Sequence, residues 1–98
     1  MLVHVVLMRL QPEVTETELL DLANRVRDLA GTVAGPDSSI VGPNITEEPL
    51  SHGFEFGFVL SFAGHAELDA YHVNPAHLAI SLAIRNLTSS VLVFDFAS

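Results

Sequence analysis

The chain has 98 residues, the size of one domain, with twelve carboxylates against four arginines and no lysine, for a formal net charge of −8. That balance excludes nucleic acid and disfavours anionic membranes, because both need a cationic face. There is no cysteine, hence no disulfide and no thiolate metal site, and a 49% hydrophobic content with only 16% charged residues exceeds what one small core needs. The excess points to a buried interface.

Residues 2–9 alternate as a strand, with Leu2, His4, Val6 and Met8 on one face and Val3, Val5, Leu7 and Arg9 on the other. The start lacks the pattern of a secretory signal, Arg9 interrupts its apolar run, and no stretch approaches the ~20 apolar residues of a membrane span. A cytoplasmic location is therefore expected. A helix opens at Thr15, with Glu18 three residues on as a capping box and Val14 and Leu19 as a hydrophobic staple. Leu19, Leu22, Val26, Leu29 and Val33 keep helical spacing toward a core, Asp21 and Arg25 form an i,i+4 pair, and Gly35-Pro36 stops the helix.

Residues 39–45 read as a short strand weakened by Gly42 and Pro43, suited to an edge or bulge. A polar loop runs from Thr46 to Gly53. Residues 54–62 form the clearest strand, with Phe54, Phe56, Phe58, Leu60 and Phe62 on one face and Glu55, Gly57, Val59 and Ser61 on the other. A short helix spans about Ala66 to Tyr71. Asn74-Pro75 announces another that runs to about Leu87, with Leu78, Leu82 and Arg85 on one side. Residues 90–96 close the chain as a strand.

The order β-α-β-β-α-β is the split arrangement of ferredoxin-like α+β domains, four antiparallel strands with helices on one face. Residues 1–98 read as a single domain, with no repeat or linker. The phenylalanine row and the His4 row suit the helix side. The opposite face, with Val3, Val5, Leu7, Gly57 and Val59, is too apolar for water, and a second copy packed sheet to sheet is the simplest cover. Gly57 and Ser61 permit close approach.

The informative segment is Ala70-Tyr71-His72-Val73-Asn74-Pro75-Ala76-His77. His77 sits at the third position of its helix, where the positive end of the dipole disfavours the imidazolium. A neutral imidazole accepts a proton, and a tyrosine hydroxyl donates a hydrogen bond, so the pair suits a general base with a polarising acid. The same two residues also suit a purely structural tie between helices. His4 fits a pocket or a core equally well. His52 and His65 read as surface residues, and Asp95 pairs with an arginine or faces solvent. His72 and His77, separated by Pro75, cannot share one helix face as a metal pair, and no built-in metal is expected beyond hard cations loosely held at carboxylates.

Three stretches carry a resemblance: Val3-His4-Val5-Val6-Leu7, Phe62 through Leu68-Asp69-Ala70-Tyr71 into Asn74-Pro75-Ala76-His77, and Phe94-Asp95. On these the chain resembles the stress-responsive dimeric α/β-barrel family, Dabb. The resemblance implies a ferredoxin-like protomer, a barrel formed by two sheets in a homodimer, and a cavity between sheet and helices. One branch resembles polyketide cyclases that close a ring by aldol-type condensation without a cofactor. In that branch a histidine corresponding to His77 is the base and a tyrosine corresponding to Tyr71 assists, while histidines from the first and third strands line the pocket. His4 matches the first of these, and Phe56 stands where the third-strand histidine would be.

The expectation is a homodimer whose protomers hold an apolar pocket edged by His4, Phe56, Tyr71 and His77, with cofactor-free proton transfer next to a carbonyl. Two alternatives stay open: non-catalytic binding of a hydrophobic small molecule, or a cofactor-independent monooxygenase of the antibiotic-biosynthesis type.

Overall fold

The computed structural model describes all residues 1–98. The elements follow in the order β1 (Leu2–Leu10), α1 (Glu16–Ala34), β2 (Ser39–Pro43), β3 (Phe56–Phe62), α2 (His65–Val73), α3 (Pro75–Leu87) and β4 (Thr88–Ala97). The four strands form one antiparallel sheet in the order β2-β3-β1-β4, the ferredoxin-like arrangement. No helix is long and apolar enough to cross a membrane.

Local chemistry sets most of these boundaries. The Thr15 hydroxyl accepts from the Glu18 amide at 3.2 Å, and the Glu18 carboxylate accepts from the Thr15 amide at 3.0 Å, so the capping box is complete. At the far end Gly35 adopts φ 101°, a conformation costly for any residue with a side chain. Asn74 performs two tasks. It ends α2 in extended geometry, as a residue before proline must, and its side-chain oxygen accepts from the Ala76 amide at 3.0 Å to cap α3. This one-residue junction folds α3 back so that the last turn of α2 and the first turn of α3 lie side by side.

Several bounds differ from the sequence expectation. β3 starts at Phe56, not residue 54, because Phe54 is held in a turn: its amide donates to Ser51 O, and His52 and Gly53 both take positive φ. Arg9 stacks over the Phe54 ring at 4.8 Å and fixes that corner. β2 ends at Pro43, α2 runs two residues beyond Tyr71, and β4 begins at Thr88 directly after α3. On α3 the inward side carries Ile80, Ala83, Ile84 and Leu87, whereas Leu78 and Leu82 face outward.

The core lies between the sheet and the helices. Leu2, Val6 and Met8 of β1 and Phe56, Phe58, Leu60 and Phe62 of β3 pack against Leu22, Val26 and Leu29 of α1, Leu68 and Tyr71 of α2, and Ile80 of α3. Their burial drives folding at roughly 1.5–3 kcal/mol for each large apolar side chain. The other face of the sheet has no cover. Ile40, Leu92, Phe94 and Phe96 are exposed there, and Val3, Val5 and Leu7 are half-buried. A Cβ at Gly57 would stand 2.8 Å from the Val6 carbonyl oxygen, so only glycine fits that point of the sheet.

Candidate active-site cleft

β4 extends past the helices, leaving Val91, Val93 and Asp95 partly uncovered on the side the helices occupy. A cleft of about 290 Å³ results, bounded by β1, β4, α2 and α3. Ile80, Ile84, Val91 and Val93 make its apolar walls, and the polar groups gather at one end: His4, Tyr71, His72, His77, Ser81 and Asp95.

The register of β1 against β4 places His4 opposite Asp95, and His4 Nδ1 donates to Asp95 Oδ1 at 2.5 Å. His4 is buried while the carboxylate is partly exposed. Asp95 thus pairs with a histidine instead of an arginine while staying partly open to solvent, because alternation along both strands points the two side chains to the same face. The contact also orients the imidazole, leaving Nε2 as the nitrogen available to the cleft.

Tyr71 is the centre of the cluster. Its ring centroid lies 4.9 Å from that of His77, 5.6 Å from His72 and 6.3 Å from His4, with Phe62 behind it at 5.6 Å. The hydroxyl oxygen is sealed from solvent and has no hydrogen-bond partner. Burial pushes its pKa up to about 12, so it remains a proton donor throughout the physiological range.

His77 is half-buried, and the Ser81 hydroxyl, one helical turn on, lies 3.4 Å from its Nδ1. Its pKa is lowered first by burial, then by the neighbouring charges of His72 and His4. His72 is lowered too, by burial and by His4, against an upward pull from Asp95 and Asp69. At neutral pH both imidazoles are therefore neutral, a state the helix position of His77 had suggested for a different reason.

Of the four residues expected at the site, His4, Tyr71 and His77 converge and Phe56 does not. Phe56 pairs with Met8, four rungs of the β1–β3 ladder away from His4, and is buried beside α1. The aromatic side chain that reaches the cleft is Phe58, opposite Val6. His72 was missed. It belongs to a different helix from His77, as expected, yet the Asn74 junction brings the two rings to 5.0 Å. No group of three histidine or carboxylate side chains has the geometry to hold a metal ion. His52 and His65 are exposed outside the cluster.

A larger hollow of about 600 Å³ lies on the uncovered face of the sheet, beneath the β2–β3 loop. Its only titratable group is His52, so size does not identify it as the place for chemistry.

The family model for the stress responsive A/B barrel domain matches residues 2–98. The chain belongs to this family. No curated protein matches the sequence significantly. Among solved structures, this A/B barrel chain is similar to a dimeric ferredoxin-like protein of unknown function from Jannaschia sp. CCS1, at 28% identity and a TM-score of 0.85, covering 99% of this chain and 98% of that one. It also superimposes on At3g17210 from Arabidopsis thaliana at 21% identity and a TM-score of 0.85, covering 100% and 95% of the two chains. A hydroxynitrile lyase from Passiflora edulis shares the fold at 15% identity and a TM-score of 0.82, covering 97% and 90%.

Proposed function

We propose that the protein acts as a homodimer in which each protomer binds a small apolar carbonyl compound in the β4–α2–α3 cleft and moves a proton next to the carbonyl. His77 is the base and the Tyr71 hydroxyl polarises the oxygen. The observation that carries this reading is the buried Tyr71 hydroxyl, a permanent donor left without an acceptor amid neutral imidazoles. An unsatisfied buried donor costs about 1–3 kcal/mol, and a ligand oxygen would recover that cost. Tyr71 lines the cleft beside the exposed His72.

In the step itself the C–H bond next to the carbonyl breaks to His77, and its electron pair moves toward the oxygen, where Tyr71 stabilises the developing enolate. His77 is suited to accept because burial keeps it neutral, and a ligand seated against the apolar walls displaces water that would weaken both interactions. His4, oriented by Asp95, is buried and lines the same end of the cleft. The dimer reading draws on the uncovered apolar sheet face and on the dimeric description of the Jannaschia protein.

The test uses ethyl 2-butylacetoacetate, a neutral β-keto ester with a single acidic hydrogen, and follows its exchange for deuterium by NMR. The wild type is expected to exceed free imidazole at equal concentration by about 10²-fold or more. His77→Ala and Tyr71→Phe should each lose most of that gain. A His77→Ala protein exchanging at the wild-type rate sinks the assignment, and saturable binding without any exchange establishes a non-catalytic carrier in its place.

A further inference from the structure

His72 has no duty in the fold. Its side chain is exposed, it makes no hydrogen bond, and yet it stands between His4 at 5.6 Å and His77 at 5.0 Å, ring centre to ring centre. Three imidazoles at one end of an apolar cleft are an expensive arrangement, because a proton on any one disfavours a proton on the others. The chain as a whole is strongly acidic, with four arginines, none of which lines the cleft. Its only carboxylate there, Asp95, is already engaged by His4 at 2.5 Å. The remaining surroundings of His72 are Asp69 on its own helix, Tyr71 beside it and His77 on α3. The cluster is therefore a reserve of positive charge that stays unused until an anion enters.

We infer that the ligand of this cleft is an acid: an apolar molecule whose carboxylate is received by His72 at the mouth, with its carbonyl deeper, at Tyr71 and His77. This names the substrate class of the proposed reaction as an oxo acid and rests on that reading for the carbonyl position, though not for the carboxylate. No covalent step is involved. At neutral pH the carboxylate arrives ionised and His72 takes one proton from solvent, so the pair that forms is neutral overall and the mutual repulsion of the imidazoles is offset by the bound anion. The apolar walls formed by Ile80, Ile84, Val91 and Val93 receive the hydrocarbon body.

The experiment is calorimetric titration of the full chain with octanoate and with octanamide, its neutral counterpart, at about pH 6 and about pH 8, in buffers of different ionisation enthalpy. Octanoate should bind more tightly at the lower pH, by up to about tenfold per pH unit, with uptake of about one proton, while octanamide shows neither effect. His72→Gln, a change at an exposed position, should abolish the proton uptake and leave the urea midpoint at about pH 8 unmoved. Octanamide binding as well as octanoate, octanoate failing to bind at about pH 6, or unchanged proton uptake in His72→Gln each overturns the inference. The β-keto ester is neutral, so its exchange in the wild type reports on His77 and Tyr71 and not on carboxylate binding. Exchange without proton-linked octanoate binding removes only the acid; octanoate binding without exchange removes only the chemistry.

Discussion

Replacing Tyr71 with phenylalanine should make the protein more stable and less active. The ring is 1% exposed and packs among Phe62, His4, His72 and His77, contacts that phenylalanine keeps. The hydroxyl adds nothing to offset its desolvation, since the oxygen is sealed and unpartnered. A buried donor in that condition costs about 1–3 kcal/mol. Removing one oxygen leaves a void of only about 10–15 Å³, which at about 24 cal/mol per Å³ costs roughly 0.3 kcal/mol. The net expectation is a gain of about 1 kcal/mol or more, equivalent to about 4–8 °C in Tm for each kcal/mol in a chain of this length. Urea and thermal unfolding, compared at equal protomer concentration, measure it. The same variant should lose the exchange activity, which would make Tyr71 a stability cost retained for function. A Tyr71→Phe protein less stable than wild type by about 1 kcal/mol would mean that the hydroxyl is satisfied, and the reasoning about a waiting donor would fail.

Gly57→Ala should cost about 1–3 kcal/mol in urea unfolding, since the new methyl would meet the Val6 carbonyl at 2.8 Å and Leu7 Cδ2 at 2.9 Å; a neutral result would show that β3 shifts freely. Phe94→Asp puts a charge on the uncovered face, on its edge strand β4, and should convert the proposed dimer to 10.6 kDa particles in the ultracentrifuge, whereas an unchanged mass would place the interface elsewhere. His72 and His77 are both held below the ordinary histidine value of 6.5. The unfolded chain therefore binds more protons than the folded one just below that pH, so stability is full above about pH 7 and falls as the solution is acidified through about pH 6. The urea midpoint should drop over that range, and His77→Gln should flatten the drop; an identical profile in the variant would assign the loss to other groups.

Much of the fold was legible in the chain because its signals are local. Period-two alternation marks β1 and β3, the Thr15–Glu18 box starts α1, Gly35 ends it, and Asn74-Pro75 starts α3; each acts over four residues or fewer and works the same way in any context. The greasy opposite face of the sheet was equally visible, since alternation alone assigns Val3, Val5, Leu7 and Val59 to one side. Tyr71 and His77 stood out because they flank the same short junction.

What the chain order could not show is which distant side chains meet. Asp95 finds His4 only through the β1–β4 register, across ninety-one positions of sequence. Phe58 rather than Phe56 reaches the cleft because the β1–β3 ladder pairs it with Val6, next to His4 on the same face. His72 joins the cluster through the angle at which α3 leaves Asn74, and Leu78 and Leu82 turn outward because Ile80 and Ile84 already fill the space against the core. Caps, turns and alternation are decided by neighbouring residues and their short-range energies. Register and convergence are decided by which long-range pairing buries the most apolar surface, a choice made by the whole chain at once.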